Sequence, residues 1–201
     1  MSTDKGFRGW GTPETPGDEK LLRHLWTSEP KHTTPFEMAG MVIEVQAPIM
    51  VFREWHRHRT FSYNEMSARY TVLPELSYVP SVERLMAAKQ STTNKQGSEA
   101  GLDEATAKMA QTILTRANAI SQFQYESLLD LGCSREIARL PVNVAQYSRM
   151  RAQAVLLNWL KFLTLRNHPK AQWEIQQYAQ AVEAMIALCF PRTHGLFRES
   201  A

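Results

Sequence analysis

Met41-Val42-Ile43-Glu44-Val45-Gln46 alternates apolar and polar side chains, is rich in β-branched residues, and is closed by Ala47-Pro48. A period of two built on Val and Ile is the pattern of a half-buried strand, and the residue before a proline is pushed out of the helical region. This one stretch makes an otherwise helical chain α+β. On its far side Ile49 to Arg59 returns to a helical pattern. On its near side Thr34-Pro35-Phe36-Glu37 has the form of a capping box, which predicts a helix of a turn or two with the Thr34 hydroxyl as its cap. Further back, Leu21, Leu22, Leu25 and Trp26 predict a helix from Asp18 that stops before Pro30. Residues 1–17, punctuated by Gly and Pro, read as a loosely held arm.

Downstream, Thr71 to Pro80 reads as loop and Ser81 to Lys89 as helix. Gln90 to Gly101 is polar and rich in Ser, Thr, Asn and Gly, the composition of a disordered loop or surface excursion. From Asp103 to Leu131 the positions Ala107, Ala110, Ile113, Leu114, Ala117, Ile120, Phe123, Leu128 and Leu131 mark a long helix closed by Gly132. Ser134 to Arg139 suits a short helix, and Val142 to Ala154 is ambiguous with room for a strand. Val155 to Leu165 and Ala171 to Cys189 are two further helices, separated by Asn167-His168-Pro169. No repeat and no internal linker is visible. The expectation is one helix-rich α+β domain over residues 18–201 with a small antiparallel or mixed sheet.

The chain has 201 residues, 43% of them hydrophobic, with five Trp, which argues for a globular fold. No apolar run reaches the ~18 residues needed to cross a bilayer. Lys and Arg total 23 against 20 Asp and Glu, a balance of +3 that suits a small anionic ligand better than nucleic acid. Met1 to Lys20 lacks the basic and apolar regions of a secretory signal, so a cytoplasmic location is expected. Cys133 and Cys189 alone make neither a disulfide framework nor a zinc site, and no metal is expected.

The densest chemical signal is Arg53-Glu54-Trp55-His56-Arg57-His58-Arg59-Thr60-Phe61-Ser62-Tyr63-Asn64-Glu65-Met66-Ser67-Ala68-Arg69-Tyr70, where four Arg face two Glu with two His besides. Such crowding is repulsive unless an anion is expected there. Guanidinium groups bind phosphate through paired charge-assisted hydrogen bonds, and the Ser67 hydroxyl can complete the cradle. The bland alternative is a solvated basic helix face. Trp55, Phe61, Tyr63 and Tyr70 among the arginines count against it, since they offer stacking surfaces for a base or a flavin, although each ring alone also suits a core.

Arg57-His58-Arg59 followed after seven residues by Ser67 resembles the signature of the flavin-dependent thymidylate synthases, as do Ser62, Asn64, Glu65, Arg69 and Tyr70. The likeness extends to His32 with Thr34 to Glu37, Arg135 to Arg139, Leu165-Arg166, and Ala171 to Ala179. The resemblance implies a homotetramer with active sites between subunits, using FAD, a uridylate nucleotide (dUMP, with UMP as a variant), methylene-tetrahydrofolate and NADPH. It assigns Glu54, Arg57, Glu65, Met66, Ser67, Ala68, Arg69 and Arg139 to the nucleotide and Arg166 to the uracil edge as the catalytic group. His32, Thr34, Glu37, Arg57, His58, Arg59, Glu65, Lys161 and Lys170 fall on the flavin and folate side. An arginine at the pyrimidine edge stabilises negative charge at N3 and O2, so C5 becomes nucleophilic without a protein thiol.

Several positions depart from the family pattern. Glu54 stands where Gln is usual, Val155-Leu156-Leu157 where Asn-x-Arg is usual, Lys161 for Asn and Lys170 for His, with His168 displaced by two. The two lysines could meet an FAD phosphate or a folate carboxylate, or lie solvated on a helix face. The segment before residue 18 is shorter than the strand and helix that family members carry there, so part of the folate or flavin wall is expected to be missing. Three readings follow: C5 methylation of dUMP to dTMP, a promiscuous UMP/dUMP C5-methylase of nucleoside-antibiotic type, and a non-catalytic flavin- or nucleotide-binding relative.

Overall fold

A computed structural model describes residues 9–11, 17–92 and 97–200. In chain order the elements are α1 (Asp18–Thr27), a 3-10 turn (Thr34–Glu37), β1 (Gly40–Pro48), α2 (Ile49–Trp55), β2 (Ser62–Glu65), α3 (Val82–Met86), β3 (Lys89–Gln90), β4 (Ser98–Glu99), α4 (Glu104–Asp130), α5 (Arg135–Ala138), β5 (Tyr147–Val155), α6 (Leu156–Arg166), α7 (Trp173–Cys189) and α8 (Pro191–Glu199). The class is α+β and helix-rich. One sheet has the order β1-β5-β2, and β3 pairs antiparallel with β4 through Lys89 with Glu99 and Gln90 with Ser98. Among the described residues no helix is long and apolar enough to cross a membrane.

β1 follows its alternation: Ile43, Val45 and Ala47 are buried while Glu44 and Gln46 are exposed. It starts one residue earlier than the pattern, at Gly40, where a Cβ would lie 2.8 Å from the Ala154 carbonyl oxygen. Only glycine allows that approach. The ambiguous segment after Val142 contains the central strand, β5. Ser148, Met150, Ala152 and Ala154 point inward and Arg149, Arg151 and Gln153 outward. With Val155 at its end as the one β-branched residue, this strand has little propensity of its own, and pairing on both edges makes it a strand. Glu44 receives Arg151 at 3.1 Å and Arg149 at 3.8 Å on the outward face, an opposite-charge cross-strand cluster.

Other boundaries differ from expectation for local reasons. The Thr34 hydroxyl caps nothing: Thr33 takes the N-cap position without a side-chain bond, and the segment is a single 3-10 turn before the chain enters β1. Phe36, buried edge-on against Trp26 at 5.1 Å, anchors the turn. α2 ends at Trp55 rather than Arg59, because the Tyr63 hydroxyl donates to the Trp55 and His58 carbonyls at 2.8 and 2.9 Å and holds the chain in a turn. The polar stretch 90–101 is tied at its ends by β3 and β4 rather than loose throughout, and residues 93–96 lie outside the described residues. α8, which no periodicity announced, opens with Pro191 in its first turn and buries Thr193, Leu196 and Phe197. Of the 1–17 arm, residues 1–8 and 12–16 lie outside the described residues; Trp10 stacks under the Arg192 guanidinium at 4.6 Å.

The chain divides into two compact units, one of residues 1–42 with 153–201 and the other of residues 43–152. The first is a helical core built on α6, with Trp159, Leu160, Phe162 and Leu163 buried beside Ile175 of α7 and Leu196 of α8. The second surrounds the sheet and α4, with Leu73, Tyr125 and Ala138 clustered under Met66, Ala68 and Val142. There the Tyr125 hydroxyl accepts the Leu73 N–H at 3.2 Å.

Candidate functional site

In the unit of residues 43–152 the helical spacing of α2 aims Ile49, Phe52, Arg53 and His56 at one cavity of about 390 Å³. The end of β2 and the turn after it add Glu65, Met66, Ser67 and Ala68; Leu73, Arg139, Val142 and Ser148 complete the wall. Three backbone bonds shape the turn. Met66 N–H donates to the Arg149 carbonyl at 2.8 Å, and Tyr70 and Thr71 N–H both donate to the Ser67 carbonyl at 3.0 Å. The Ser67 hydroxyl itself accepts the Arg69 N–H at 3.3 Å. The floor is apolar, made by Phe52, Leu73 and Val142, and the charged groups stand at the edge. A volume in this range with an apolar floor and few polar groups is the usual form of a small-molecule site.

Charge compensation separates the arginines into two sets. Arg69 pairs with Glu136 at 3.0 Å and lies 5.9 Å from the Tyr70 ring, and Arg149 and Arg151 share Glu44. Among the described residues the side chains of Arg53, Arg57, Arg59 and Arg139 have no hydrogen-bond or ion-pair partner. Arg53 and Arg139 line the cavity, where Glu65 is the single carboxylate among the lining residues. The excess positive charge is suited to an anion.

Of the residues expected to hold a nucleotide, Glu65, Met66, Ser67, Ala68 and Arg139 thus come together, while Glu54, Arg57 and Arg69 are not in the cavity wall. Glu54 is half-buried, and Arg57 and Arg59 are exposed at the end of α2, with His58 half-buried between them. Most of the interleaved rings serve packing. Trp55 and Phe61 are buried, Phe61 stacks on Tyr63 at 5.9 Å and meets His58 at 5.8 Å, and only Tyr70 is largely exposed. Sequence reading missed Arg53, His56 and Ser148 as wall residues. The helical spacing from Ile49 to His56 is the signal that could have found the first two. His56 is set in place by the Met150 sulfur 3.3 Å from its Nε2 and by the edge of Tyr63 at 4.8 Å.

The other unit, residues 1–42 with 153–201, carries a second cavity of about 530 Å³. Lys31, Lys161, His168 and Arg198 edge it over Trp26, Leu157 and Leu160. Its carboxylate, Glu183, is engaged by Asn167, by His194 at 2.8 Å and by Arg198 at 3.0 Å. Of the expected flavin- and folate-side residues only Lys161 lines this cavity. His32, Thr34 and Glu37 are exposed, Arg166 is half-buried at the last turn of α6, and Lys170 is exposed with its N–H donating to His168 Nδ1 at 3.1 Å. Among the described residues no cluster of three His, Cys, Asp or Glu side chains is placed to hold a metal, and Cys133 and Cys189 are free thiols.

A sequence profile described as thymidylate synthase complementing protein matches residues 4–192. The flavin-dependent thymidylate synthase of Anaplasma marginale is 38% identical over 191 residues, covering 95% of this chain and 64% of its own length. The flavin-dependent thymidylate synthase of Thermus thermophilus is 38% identical over 191 residues, covering 95% of this chain and 67% of its own. The present chain therefore spans about two-thirds of the length of these relatives, and less than that in the first of them. Among solved structures, the UMP/dUMP methylase PolB from Streptomyces cacaoi bound with 5-Br dUMP is 34% identical with a TM-score of 0.80, covering 90% of this chain and 79% of that one. The same protein bound with 5-Br UMP has the same identity and TM-score and covers 89% of this chain and 82% of that one.

Proposed function

Because the chain belongs to the thymidylate synthase complementing protein family, we propose that it catalyses flavin-dependent reductive C5 methylation of a uridylate, converting dUMP to dTMP with methylene-tetrahydrofolate and NADPH. The observation that carries this reading is the 43–152 cavity, where Arg53 and Arg139 lack carboxylate partners among the described residues beside the Ser67 turn. That is the environment a nucleoside monophosphate needs. In this proposal residues 18–201 act as one catalytic domain behind the 1–17 arm, and copies of the chain assemble as a homotetramer with active sites between subunits.

The residues present suit a flavin dinucleotide. Arg57 and Arg59, exposed and without partners among the described residues, have the charge for its diphosphate. When bound, the flavin supplies the reducing equivalents of the methyl transfer. The chain's own part is binding and electrostatics. Arg139 holds the nucleotide phosphate, Arg166 stabilises negative charge on the uracil N3–O2 edge, and the apolar floor excludes water. No thiol is required, in keeping with the separate settings of Cys133 and Cys189. Arg166→Ala is expected to lose about 3 kcal/mol of transition-state stabilisation, on the order of a hundredfold in kcat. Retained turnover in that variant would remove Arg166 from its assigned role.

Likeness to a UMP/dUMP methylase, with Glu54 in place of the usual Gln, supports a second reading in which UMP is also methylated. Steady-state rates with dUMP and UMP, supplied with FAD, methylene-tetrahydrofolate and NADPH, separate the two. Turnover of dUMP alone supports the first, comparable turnover of both supports the second, and turnover of neither defeats both.

A further inference from the structure

Ser148 is a hydroxyl on the inward face of the central strand, where its neighbours of the same parity are Met150, Ala152 and Ala154. It is 2% exposed, and among the described residues its Oγ has no hydrogen-bond partner. Other buried polar side chains in the same unit are satisfied: Gln146 Nε2 donates to the Pro74 carbonyl, and Asn118 Nδ2 donates to the Tyr78 carbonyl at 3.0 Å. Burying a hydroxyl without a partner is unfavourable, so such a group in a native wall asks for a ligand. The Ser148 Oγ is not wholly occluded, and the residue lines the 390 Å³ cavity, so its remaining access opens there.

Resting on the uridylate reading above, we propose that Ser148 is a phosphate-binding residue of this pocket, its Oγ–H donating to an oxygen of the 5′-monophosphate that Arg53 and Arg139 hold from the edge. Charge decides which part of the nucleotide it meets. The two guanidiniums have no carboxylate partner among the described residues, and a phosphate neutralises them while accepting from a serine hydroxyl. A sugar hydroxyl would leave both arginines uncompensated, and it suits Glu65, the lining carboxylate, which would repel a phosphate. Pocket polarity thus orients the ligand, phosphate toward Arg53, Arg139 and Ser148 and sugar toward Glu65. Arg53 joins the phosphate set by the same argument.

The test compares full-length Ser148→Val and Ser148→Thr, near-isosteres that both suit a strand and differ by the hydroxyl. Each is titrated with dUMP, and with deoxyuridine by competition. Ser148→Val is expected to weaken dUMP about tenfold, as for loss of a hydrogen bond to a charged group, with deoxyuridine affinity unchanged. Ser148→Thr restores the dUMP value. Ser148→Ala stands in if the valine variant does not fold by far-UV circular dichroism. Equal losses for dUMP and deoxyuridine in Ser148→Val, or no loss of dUMP affinity in that variant when the wild-type chain binds dUMP, overturn the role of Ser148 alone. A wild-type chain that binds neither dUMP nor UMP overturns the uridylate reading and this assignment with it.

Discussion

α4 and α6 are both apolar helices, and they bury opposite things. In its 11 residues α6 hides Leu156, Leu157, Trp159, Leu160, Phe162 and Leu163 and leaves Lys161, Thr164 and Leu165 exposed. The 27-residue α4 buries Ala107, Asn118 and Tyr125, while Met109, Ile113, Ile120 and Phe123 are all more than half exposed. Hydrogen bonds hold the inner side of α4: Ser121 Oγ donates to the Pro141 carbonyl at 2.8 Å, and Asn143 Nδ2 donates to Asn118 Oδ1 at 2.9 Å. These polar contacts share the inner side of α4 with the packed ring of Tyr125, and the stripe of Met109, Ile113, Ile120 and Phe123 is turned outward. The two helices show that apolar periodicity reports a helix with something to cover, and not what covers it. For α6 the cover is its own unit; for α4 a neighbouring copy in the proposed tetramer would supply it.

Breaking the satisfied helix should have the largest effect. Phe162→Ala removes a fully buried ring and is expected to cost about 3–5 kcal/mol, read as a lower urea midpoint. A change within ~0.5 kcal/mol, the usual size for an exposed site, would put α6 in the same class as the outer face of α4. Next in size is Phe123→Lys, which places a charge on the α4 stripe. Full burial of such a ring contributes roughly 1.5–3 kcal/mol, so association should weaken by about tenfold or more while far-UV helicity stays. Sedimentation velocity reads this as a smaller species, and an unchanged mass would show that the stripe is not a contact between copies.

The smallest effect sharpens how α4 is held. Asp103 accepts the Thr106 N–H at 2.9 Å and the Thr106 hydroxyl at 2.7 Å, and these bonds hold its carboxyl below the usual carboxylate range. A depressed folded pKa makes this cap fully effective above the ordinary carboxylate range, and its contribution fades as pH falls through the folded value. Asp103→Ala should therefore lower Tm modestly at neutral pH, with the gap to wild type closing in strong acid. A gap that stays constant with pH would show that the carboxylate charge plays no part in the cap.

Local signals were legible from the chain alone. Alternation announced β1, Asp103 and Gly132 bounded α4, and Gly132 takes the positive φ of +81° that the close of a helix favours. α8 and β2 were not legible, one being short and opened by a proline, the other a four-residue strand with no apolar alternation. Half of the site was readable in the same sense. The motif from Arg57 to Ser67 names the chemistry, yet Arg57 and Arg59 stand outside the 43–152 cavity and Arg53, His56 and Ser148 line it. A motif identifies residue types at fixed spacing, whereas the wall depends on where α2 meets β5.

Composition and short-range pattern were enough to establish an α+β chain, the Asp103 cap of α4 and a cationic segment, because those features depend on residues within about a turn of each other. Folding in three dimensions decided that the propensity-poor run from Tyr147 to Val155 is the central strand, that Ser148 lines the cavity, and that the apolar face of α4 looks outward. Each of these outcomes depends on partners far away in the chain, and no local spacing encodes which partner arrives.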